Sequence, residues 1–311
     1  MDSLSQFIEH LAPKCEVFAH VQLRAPWGIA ESQLTGCCFS YVHSGRCLLE
    51  TNNQSPLWLE QGSLLLLPYG SPHCLMSEQN VTCQDAHTLF VGKTRQELEE
   101  ITIGGQGAAS GVMCGVLSFA PFMHWAGSSL LGGLPEVIVI PAQEQPRVAQ
   151  LLAWLYQENA QSGAGSQAAS QRLLDLLLLE VLRYLDQQPL QPGWLLAVQD
   201  RYLAPVLMAI QQQPQDDWTV ESLAQYSGLA RSAFAQRFKQ LTESTPLQFV
   251  QQWRCLLAAQ LLVTGDNGVK QIAHQCGFQS SDVFIRNFRK FHGTTPKQYR
   301  LQFKALAPEY S

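Results

Sequence analysis

The C-terminal third of the chain repeats apolar residues with the period of an α-helix. In the segment "ARSAFAQRFKQLTE", Phe234, Phe238 and Leu241 recur at spacings of four and three, which predicts a helix with one buried face. The preceding "VESLAQYS" predicts a shorter helix, and Gly228 supplies the permissive backbone that a tight turn between the two requires. Two helices joined by such a turn form a helix–turn–helix unit.

A second copy of this pattern follows in the same order. Gly277 takes the place of Gly228, and Thr295-Pro296 repeats Thr245-Pro246, so an internal duplication is the simplest account. The helix predicted for "SSDVFIRNFRKF" has one phenylalanine face and one polar face. The first is expected to bury Phe284, Phe288 and Phe291, and the second to present Ser281, Asp282, Ile285, Arg286 and Arg289. Between the copies, "TPLQFVQQWRCLLAAQLL" predicts a connecting helix that fixes one unit relative to the other.

The N-terminal half follows a shorter period. From Leu34 onward, "TGCCFSYVHSGRCLLETN" and "SPLWLEQGSLLLLPYGSPHCL" alternate or run apolar over short spans separated by Gly, Pro and Asn, as β-strands and hairpins do. Residues 144–160 and 169–187 then predict two helices. The second carries leucine on nearly every side, so it must be covered by the strands or by another subunit, and we predict a homodimer.

Charge is unevenly distributed along the chain. The 311 residues carry a formal charge of −5, but residues 218–304 contain 11 Lys and Arg against 4 Asp and Glu, which leaves −12 for the remainder. A basic segment on an acidic chain suggests contact with a polyanion, although a solvated basic face would give the same count. Helices that are apolar on one side and hydrogen-bonding on the other suit the major groove of DNA, and two on one frame would recognise a bipartite site.

The sequence contains no pattern for membrane insertion or export. No apolar run reaches the length of a bilayer span, and the N-terminus lacks the basic and apolar regions of a signal peptide. A cytoplasmic location without membrane contact is therefore expected, and there the nine cysteines are expected to be thiols rather than a disulfide framework.

Three segments of the basic region carry a family resemblance. "LAQYSGLARSAFAQRFKQ", "WRCLLAAQLL" and "IAHQCGFQSSDVFIRNFRKFHGTTPKQYR" resemble, in this order, the DNA-binding domain of AraC/XylS-family bacterial transcription regulators. The resemblance implies double-stranded DNA as a partner, and RNA polymerase as a second partner if the protein is an activator. It also implies base contacts from Ser232, Ala235 and Gln236 in the first unit and from Ser281, Asp282, Ile285 and Arg286 in the second.

Two of these positions limit any guess at the bound sequence. Ala235 is too short to donate a hydrogen bond, and Asp282 would repel phosphate unless it accepts from a cytosine amine. Phosphate contacts are expected from four basic residues, Arg231, Lys239, Arg289 and Lys290.

The N-terminal half resembles a second family. "GSLLLLPYGSPH" (Gly62–His73) looks like the second cupin signature, a strand that enters a tight turn at the mouth of a small β-barrel. "MCGVLSFAPF" and "LLGGLPEVIVI" are similar to the cupin-type sensor domain of one branch of AraC-family regulators. A metal-binding cupin needs about three His and one Glu, including an H-x-H pair. His43, His73 and His87 stand isolated, so we expect no metal or cofactor, and we expect His73 to bond to the backbone of its turn.

No pattern for catalysis is present. Paired carboxylates, a Ser-His-Asp set and a P-loop are missing from the sequence, and "GGQGAASG" (104–111) lacks the strand–turn–helix frame of a dinucleotide site. A flexible loop is expected there, and the chain is not expected to be an enzyme.

Cysteine is concentrated in the N-terminal part. Seven of the nine cysteines lie within the first 114 residues, and "MCGVLSF" is similar to the "CG" strand of thiol-based sensors. Cys114, Cys83, Cys74 and Cys15 are therefore candidates for sensing an oxidant. The alternative is that they are small buried hydrophobic residues, which is the expectation for Cys255 and Cys276.

Together these patterns predict an α+β multidomain protein. Residues 1–140 form a cupin-like sensor barrel, 141–187 a helical dimerisation region, 188–199 a linker, and 200–311 an all-α DNA-binding domain of two helix–turn–helix units joined by a connecting helix. The expected function is sequence-specific transcription regulation in response to a small molecule or an oxidant. Two alternatives stay open: a cupin-type enzyme or metal-binding protein with a localising DNA-binding domain, and a non-specific nucleoid-associated binder.

Overall fold

The computed structural model describes residues 13–32, 37–52, 54–91, 93, 102–119, 133–160, 163–188 and 192–306. The described residues divide into two compact units, one built from residues 13–119 together with 135–185, the other from residue 186 onward. None of the helices within the described ranges is both long enough and apolar enough to cross a bilayer.

The first unit consists mainly of two β-sheets. Its described strands are β1 (Pro13–Arg24), β2 (Gly28–Glu31), β3 (Cys37–Ser44), β4 (Arg46–Thr51), β5 (Gln54–Glu60), β6 (Leu64–Leu67), β7 (His73–Met76), β8 (Gln84–Asp85), β9 (Thr102–Gly104), β10 (Ala109–Phe119) and β11 (Ile138–Ile140). One sheet has the order β11-β6-β3-β10-β1-β9 and the other β5-β4-β7-β2-β8. Neighbours are antiparallel, except that β9 runs parallel to β1 and β8 parallel to β2.

Both sheets contribute to one hydrophobic core. Residues two apart on a strand enter it together, as Val21 and Leu23 do on β1 and Leu65 and Leu67 on β6, because alternate side chains of a strand share a face. The second sheet contributes Leu75 from β7. Full burial of each such side chain is worth about 1.5–3 kcal/mol. The predicted cupin-like, strand-rich domain is thereby confirmed.

The turn after β6 behaves as its sequence predicts. Leu64–Leu67 are all buried, the chain turns, and β7 begins at His73. The Nδ1 atom of His73 lies 3.1 Å from the carbonyl oxygen of Ser71, so this histidine does bond to the backbone of its own turn.

The glycine-rich segment 104–111 differs from the expected flexible loop. The amides of Gly105 and Gly107 donate to the carbonyls of Arg24 and Ala25, both at 2.8 Å. Gly104 has φ +105°, and a Cβ atom there would lie 2.0 Å from the carbonyl oxygen of Arg24, so only glycine fits. The segment is therefore tied to the turn after β1 by backbone contact.

Three helices of the first unit are described: α1 (Ala86–Phe90), α2 (Pro146–Ala160) and α3 (Ser166–Asp186). The two predicted long helices thus exist, α3 beginning three residues earlier than expected. Hydrogen bonds link the start of α2 to α3. The hydroxyl of Tyr184 on α3 donates to Glu144 at 3.1 Å, and Arg147 on α2 donates to Glu180 on α3 at 3.4 Å. Six residues of α3 are buried, Leu174, Leu177, Leu178, Val181, Leu182 and Leu185.

The described part of the second unit is helical. Its helices are α4 (Trp194–Gln199), α5 (Ala204–Gln212), α6 (Val220–Ser227), α7 (Arg231–Thr242), α8 (Pro246–Thr264), α9 (Val269–Gln275), α10 (Ser281–His292) and α11 (Pro296–Leu306). The central helix α8 contacts α5, α6 and α7 as well as α9, α10 and α11. Both predicted helix–turn–helix units, α6–α7 and α9–α10, are therefore present and share the predicted connecting helix.

The segment predicted as a linker contains α4, which belongs to the helical unit. The amide of Gly193 donates to the carbonyl of Leu241 at 2.7 Å, Leu195 is buried, and α4 contacts α7. A proline-rich sequence signals a chain break but does not reveal a short helix that is stabilised by tertiary packing. The boundaries 1–140, 141–187, 188–199 and 200–311 stay a prediction.

The internal duplication extends to hydrogen bonds at the helix starts. Thr245 and Gln248 form a capping box at the start of α8, in which each side chain bonds the other's backbone amide. Thr295 and Gln298 exchange the same pair of bonds at the start of α11. Each box satisfies two amides that have no partner within the helix, which accounts for the repeated threonine and glutamine.

Candidate functional site

Helices α7 and α10 each divide into a buried aromatic face and an exposed polar face. Phe234 and Phe238 of α7, like Phe284 and Phe288 of α10, have no exposed surface. The residues predicted to contact DNA lie on the other side. Arg231, Ser232, Gln236, Lys239, Asp282, Arg286, Arg289 and Lys290 are exposed, whereas Ala235, Ser281 and Ile285 are partly exposed.

One buried position of α7 differs from expectation. Leu241 is only partly buried, and the neighbouring Thr242 is buried in its place. The hydroxyl of Thr242 donates to the carbonyl of Phe238 at 2.8 Å, so a polar side chain meets its hydrogen-bonding need inside the last helical turn. The spacing of apolar residues could not reveal this exchange.

Equivalent ring contacts hold both helices in place. Phe238 packs edge-on against Phe249 of α8 with ring centroids 5.6 Å apart, and Phe288 packs edge-on against Tyr299 of α11 at 5.2 Å. Edge-to-face pairs at such distances are favourable beyond the area they bury. Aromatic pairs in equivalent positions therefore hold α7 and α10 against their neighbouring helices.

The loop between α5 and α6 contacts both the shared helix α8 and the second helix–turn–helix unit. The buried guanidinium of Arg254, on α8, donates to the carbonyls of Pro214 and Asp216 at 2.7 and 2.6 Å. Between these residues, the backbone of Gln215 packs closely against the turn of the second unit. A Cβ atom on Gly277 would lie only 2.5 Å from the Cα atom of Gln215. Gly277 also has φ +80°, so both its conformation and this backbone contact favour glycine.

An ion pair between Arg237 and Asp200 holds α7 to the C-terminal end of α4. Arg237 donates from Nε to both carboxylate oxygens of Asp200 at 3.0 Å, and its Nη2 atom contacts the same carboxylate. Partial burial raises the pKa of Asp200, but the bonds from Arg237 and from the amides of Tyr202 and Leu203 outweigh it, so the pKa lies below its usual value. Sequence analysis missed Arg237 because its partner is 37 residues away.

The two exposed faces differ in charge. On α10, Arg286, Arg289 and Lys290 line a shallow groove together with Asp282, Ile285 and Thr295. On α7, the guanidinium of Arg231 lies 2.5 Å from the carboxylate of Glu221. An exposed ion pair of this kind contributes little energy and exchanges readily for a phosphate, yet it reduces the positive charge that α7 presents.

Comparisons with known proteins agree with this arrangement. Residues 2–185 match the sequence model of a family described as cupin, and residues 223–302 match that of a helix-turn-helix domain. A Haemophilus influenzae protein named as an uncharacterized HTH-type transcriptional regulator is 30% identical over 96% of this chain and 98% of its own. A putative AraC-like transcription regulator of Streptomyces antibioticus is 28% identical, with coverage of 96% and 98%. The chain belongs to the AraC-like family of transcription regulators.

Among solved structures, this AraC-like protein is similar to the DNA-binding domain of AdpA in complex with a target DNA. The two are 35% identical over 35% of this chain and 97% of that one, with a TM-score of 0.33. Family membership makes this chain a DNA-binding transcription regulator whose N-terminal domain is of the cupin type.

The cupin domain of this AraC-like regulator contains a cavity of about 390 Å³. Its wall combines apolar and aromatic side chains with a few polar ones. The apolar part includes Leu23, Trp27, Phe39, Leu75, Phe90 and Val112, and the polar part Glu31, Ser40, Cys38, Cys114, His73 and His87. Burial, followed by the nearby Asp85 carboxylate, raises the pKa of Glu31 above its usual value.

The three isolated histidines have different surroundings. The ring of His43 stacks on Tyr156 of α2 at 4.4 Å, and burial lowers the pKa of this histidine. His73 and His87 line the cavity, and burial also lowers the pKa of His73. Within the described residues, no three His, Cys, Asp or Glu side chains are grouped so that they could hold a metal ion.

The candidate cysteines separate into three settings. Cys114 lies on the cavity wall with its sulfur 3.4 Å from the hydroxyl of Ser40, and burial raises its pKa to about 11. Burial, then a hydrogen bond with Cys83, raises the pKa of Cys74 to about 11. Cys15 lies in β1, and its side chain is outside those that the structure describes. Cys255 and Cys276 are fully buried in the helical unit, as hydrophobic residues would be.

Proposed function

We propose that this regulator recognises a two-part operator with α7 and α10 and alters its binding when the cupin domain receives a signal. The observation that carries the proposal is the pair of equivalent helices, each with a buried phenylalanine face and an exposed polar face, on the shared helix α8. Helices presented in this way enter the major groove, and two units on one frame would contact successive turns of the duplex.

Individual contacts follow from exposure and chemistry. Base edges would be contacted by Ser232, Ala235, Gln236, Ser281, Asp282, Ile285 and Arg286, and phosphates by Arg231, Lys239, Arg289 and Lys290. Because Ala235 is short and Arg231 is paired with Glu221, we propose that α10 supplies most of the specificity and most of the charge. Arg286 is the strongest single candidate, since arginine bonds guanine in bidentate fashion.

Footprinting on a bound genomic fragment tests the two-part operator. We expect two protected segments centred about 10 base pairs apart on one face of the duplex. Four phosphate contacts predict that the association constant falls about 100-fold between 50 and 200 mM salt. Equal affinity for the fragment and for random DNA would instead support a non-specific nucleoid-associated binder.

The cupin domain is proposed to act as a sensor rather than as an enzyme. Its cavity offers a place for a small molecule, and the relatives named above are transcription regulators. Stoichiometric metal in the purified protein would oppose this assignment in favour of a metal-dependent cupin.

Two partners are proposed besides DNA. A second copy of the chain would cover Leu176 on α3 and Trp154 on α2, which are 50% and 49% exposed, and sedimentation velocity distinguishes this dimer from the 34.6-kDa monomer. RNA polymerase would be contacted if the protein is an activator. The regulator would act in the cytoplasm, where its DNA is found.

Oxidation of cysteines is a second route for the signal, favoured by the contact of Cys74 with Cys83. Cys74 lies on β7 and Cys83 immediately precedes β8, the two strands that flank β2, and a Cβ atom on Gly28 would lie 2.9 Å from the sulfur of Cys83. The glycine therefore leaves room for this thiol beside Cys74. Cys114, which is a free thiol, and Cys15 stay candidates.

Treatment with diamide is expected to join Cys74 and Cys83. Two thiols would lose two protons and two electrons to the diamide, which becomes the hydrazine, and one sulfur–sulfur bond would form. Because the pKa of Cys74 is raised to about 11, the reaction should be slow at pH 7 and faster at pH 9. Peptide mass spectrometry with Cys83→Ser as control measures the product. A bond to Cys114 instead, or none at pH 9, would contradict this pairing.

A further inference from the structure

The cavity of the cupin domain combines aromatic walls with one acidic group. Its volume of about 390 Å³ falls within the usual range for small-molecule sites, which are mostly apolar with few polar groups. Trp27, Phe39 and Phe90 bring three aromatic rings to the wall, and aliphatic side chains fill much of the remainder. A ligand of this site therefore needs a hydrophobic body.

Glu31 lies on the wall of this cavity and is partly buried there. Its charge acts on Cys38 and on Cys114, two sulfurs that line the same cavity. No lysine or arginine is present among the described residues of the lining, and Glu31 takes part in no ion pair between described side chains. A carboxylate that is partly removed from water without a cation is costly, so this one is available for a positively charged ligand.

The other titratable groups of the wall do not supply a counter-charge. The pKa of His73 is lowered by burial, which keeps its ring neutral at neutral pH, and both cysteine pKa values are raised, which keeps them as thiols. Asp85 adds a second carboxylate that raises the pKa of Glu31, and the exposed His87 partly offsets this rise. Apart from His87, the described polar groups of the wall are therefore negative or neutral.

These features discriminate among ligand classes. An anionic amphiphile would be repelled by Glu31 and by the nearby Asp85, which only His87 opposes, and a neutral hydrocarbon would bury the Glu31 carboxylate further without compensating it. A cationic ligand is favoured for two reasons: it pairs with the carboxylate, and it is attracted to the faces of aromatic rings.

We propose that the cupin cavity binds a small hydrophobic ammonium compound. The ammonium group donates to the carboxylate of Glu31, and the apolar body packs against Trp27, Phe39 and Phe90. The regulatory meaning of this site rests on the proposed sensor function, but the binding itself is independent of DNA.

Titration calorimetry on the full chain at pH 7.5 tests the ligand class with three probes that share one body: phenylbutylammonium, phenylbutanol and phenylbutyrate. We expect the ammonium compound to bind about tenfold more tightly than the alcohol, which is the gain typical of one charge-assisted hydrogen bond, and the anion to bind most weakly. Equal affinities for ammonium and alcohol, tighter binding of the anion, or no binding of any probe would overturn the proposal.

Two variants assign the preference to one carboxylate. Glu31→Gln should reduce ammonium affinity about tenfold, to that of the alcohol, while alcohol affinity stays unchanged and reports that the cavity is intact. The matched control is Glu60→Gln, because Glu60 is exposed on β5 outside the cavity lining and should have no effect.

An unchanged preference in Glu31→Gln would overturn the assignment. If that variant misfolds, the ratio measured on the unmodified protein decides the ligand class by itself. The footprinting result does not depend on ligand binding. A failed titration would therefore contradict the ammonium proposal without contradicting the proposed function.

Discussion

Replacing Trp253 by alanine is expected to lower the free energy of unfolding of the helical unit by about 3–5 kcal/mol. Trp253 lies on α8 and has no exposed surface, and this helix contacts every helix of both helix–turn–helix units. Removing the largest buried side chain from the shared helix leaves a cavity between elements that depend on one another. Since domains are stable by only about 5–15 kcal/mol, the variant should also lose DNA binding at both half-sites near body temperature.

Urea unfolding followed by circular dichroism measures this loss. The control is Leu247→Ala on the same helix, where the side chain is 40% exposed and the change should be below about 1 kcal/mol. If the two variants were equally stable, α8 would not be the frame on which both units depend.

Replacing Arg286 by alanine should weaken binding to the specific operator by about 5- to 150-fold, which corresponds to 1–3 kcal/mol for a lost bidentate base contact. Arg286 is exposed in the first half of α10 and lines the basic groove of that helix. Binding to random DNA should change much less, because a base contact carries sequence information that a phosphate contact does not. Fluorescence anisotropy with operator and random duplexes at one salt concentration measures both affinities.

The matched control is Arg289→Ala, one turn further along the same groove. As a phosphate contact, Arg289 should affect all sequences alike and lower the salt slope by about one. Equal losses on operator and random DNA for Arg286→Ala would place this side chain at the phosphate backbone instead and remove it from base recognition.

The helical unit was predictable because its signals are local. Phe234 and Phe238, or Phe284 and Phe288, lie four residues apart on one helix, and Gly228 and Gly277 mark turns through backbone geometry that few other residues adopt. What the sequence did not reveal depends on residues far apart in the chain. Arg254 bonds carbonyls 38 and 40 residues away, and no spacing rule identifies such partners.

The same limit applies to the N-terminal domain. The strands were predictable from alternation, but the cavity is formed by side chains of several strands and of α1, so its acidic and aromatic character emerges only after folding. The contact of Cys74 with Cys83 depends on the small residue Gly28 on the strand between them. The 104–111 segment was expected to be flexible because glycine in a sequence indicates backbone freedom, whereas here it permits close backbone contact.

If α7 and α10 recognise the two half-sites as proposed, the backbone contact between Gln215 and Gly277 constrains which promoters this regulator can bind. The loop before the first unit is held to α8 by Arg254 and lies against the turn of the second unit at Gly277, so the two units are expected to move as one body and not to follow a stretched target. Base substitutions within a half-site would change affinity step by step. Inserting one base pair between the half-sites would rotate one of them by about 34° relative to the other and abolish simultaneous recognition. The spacing between the half-sites should therefore be conserved more strictly than the bases within them.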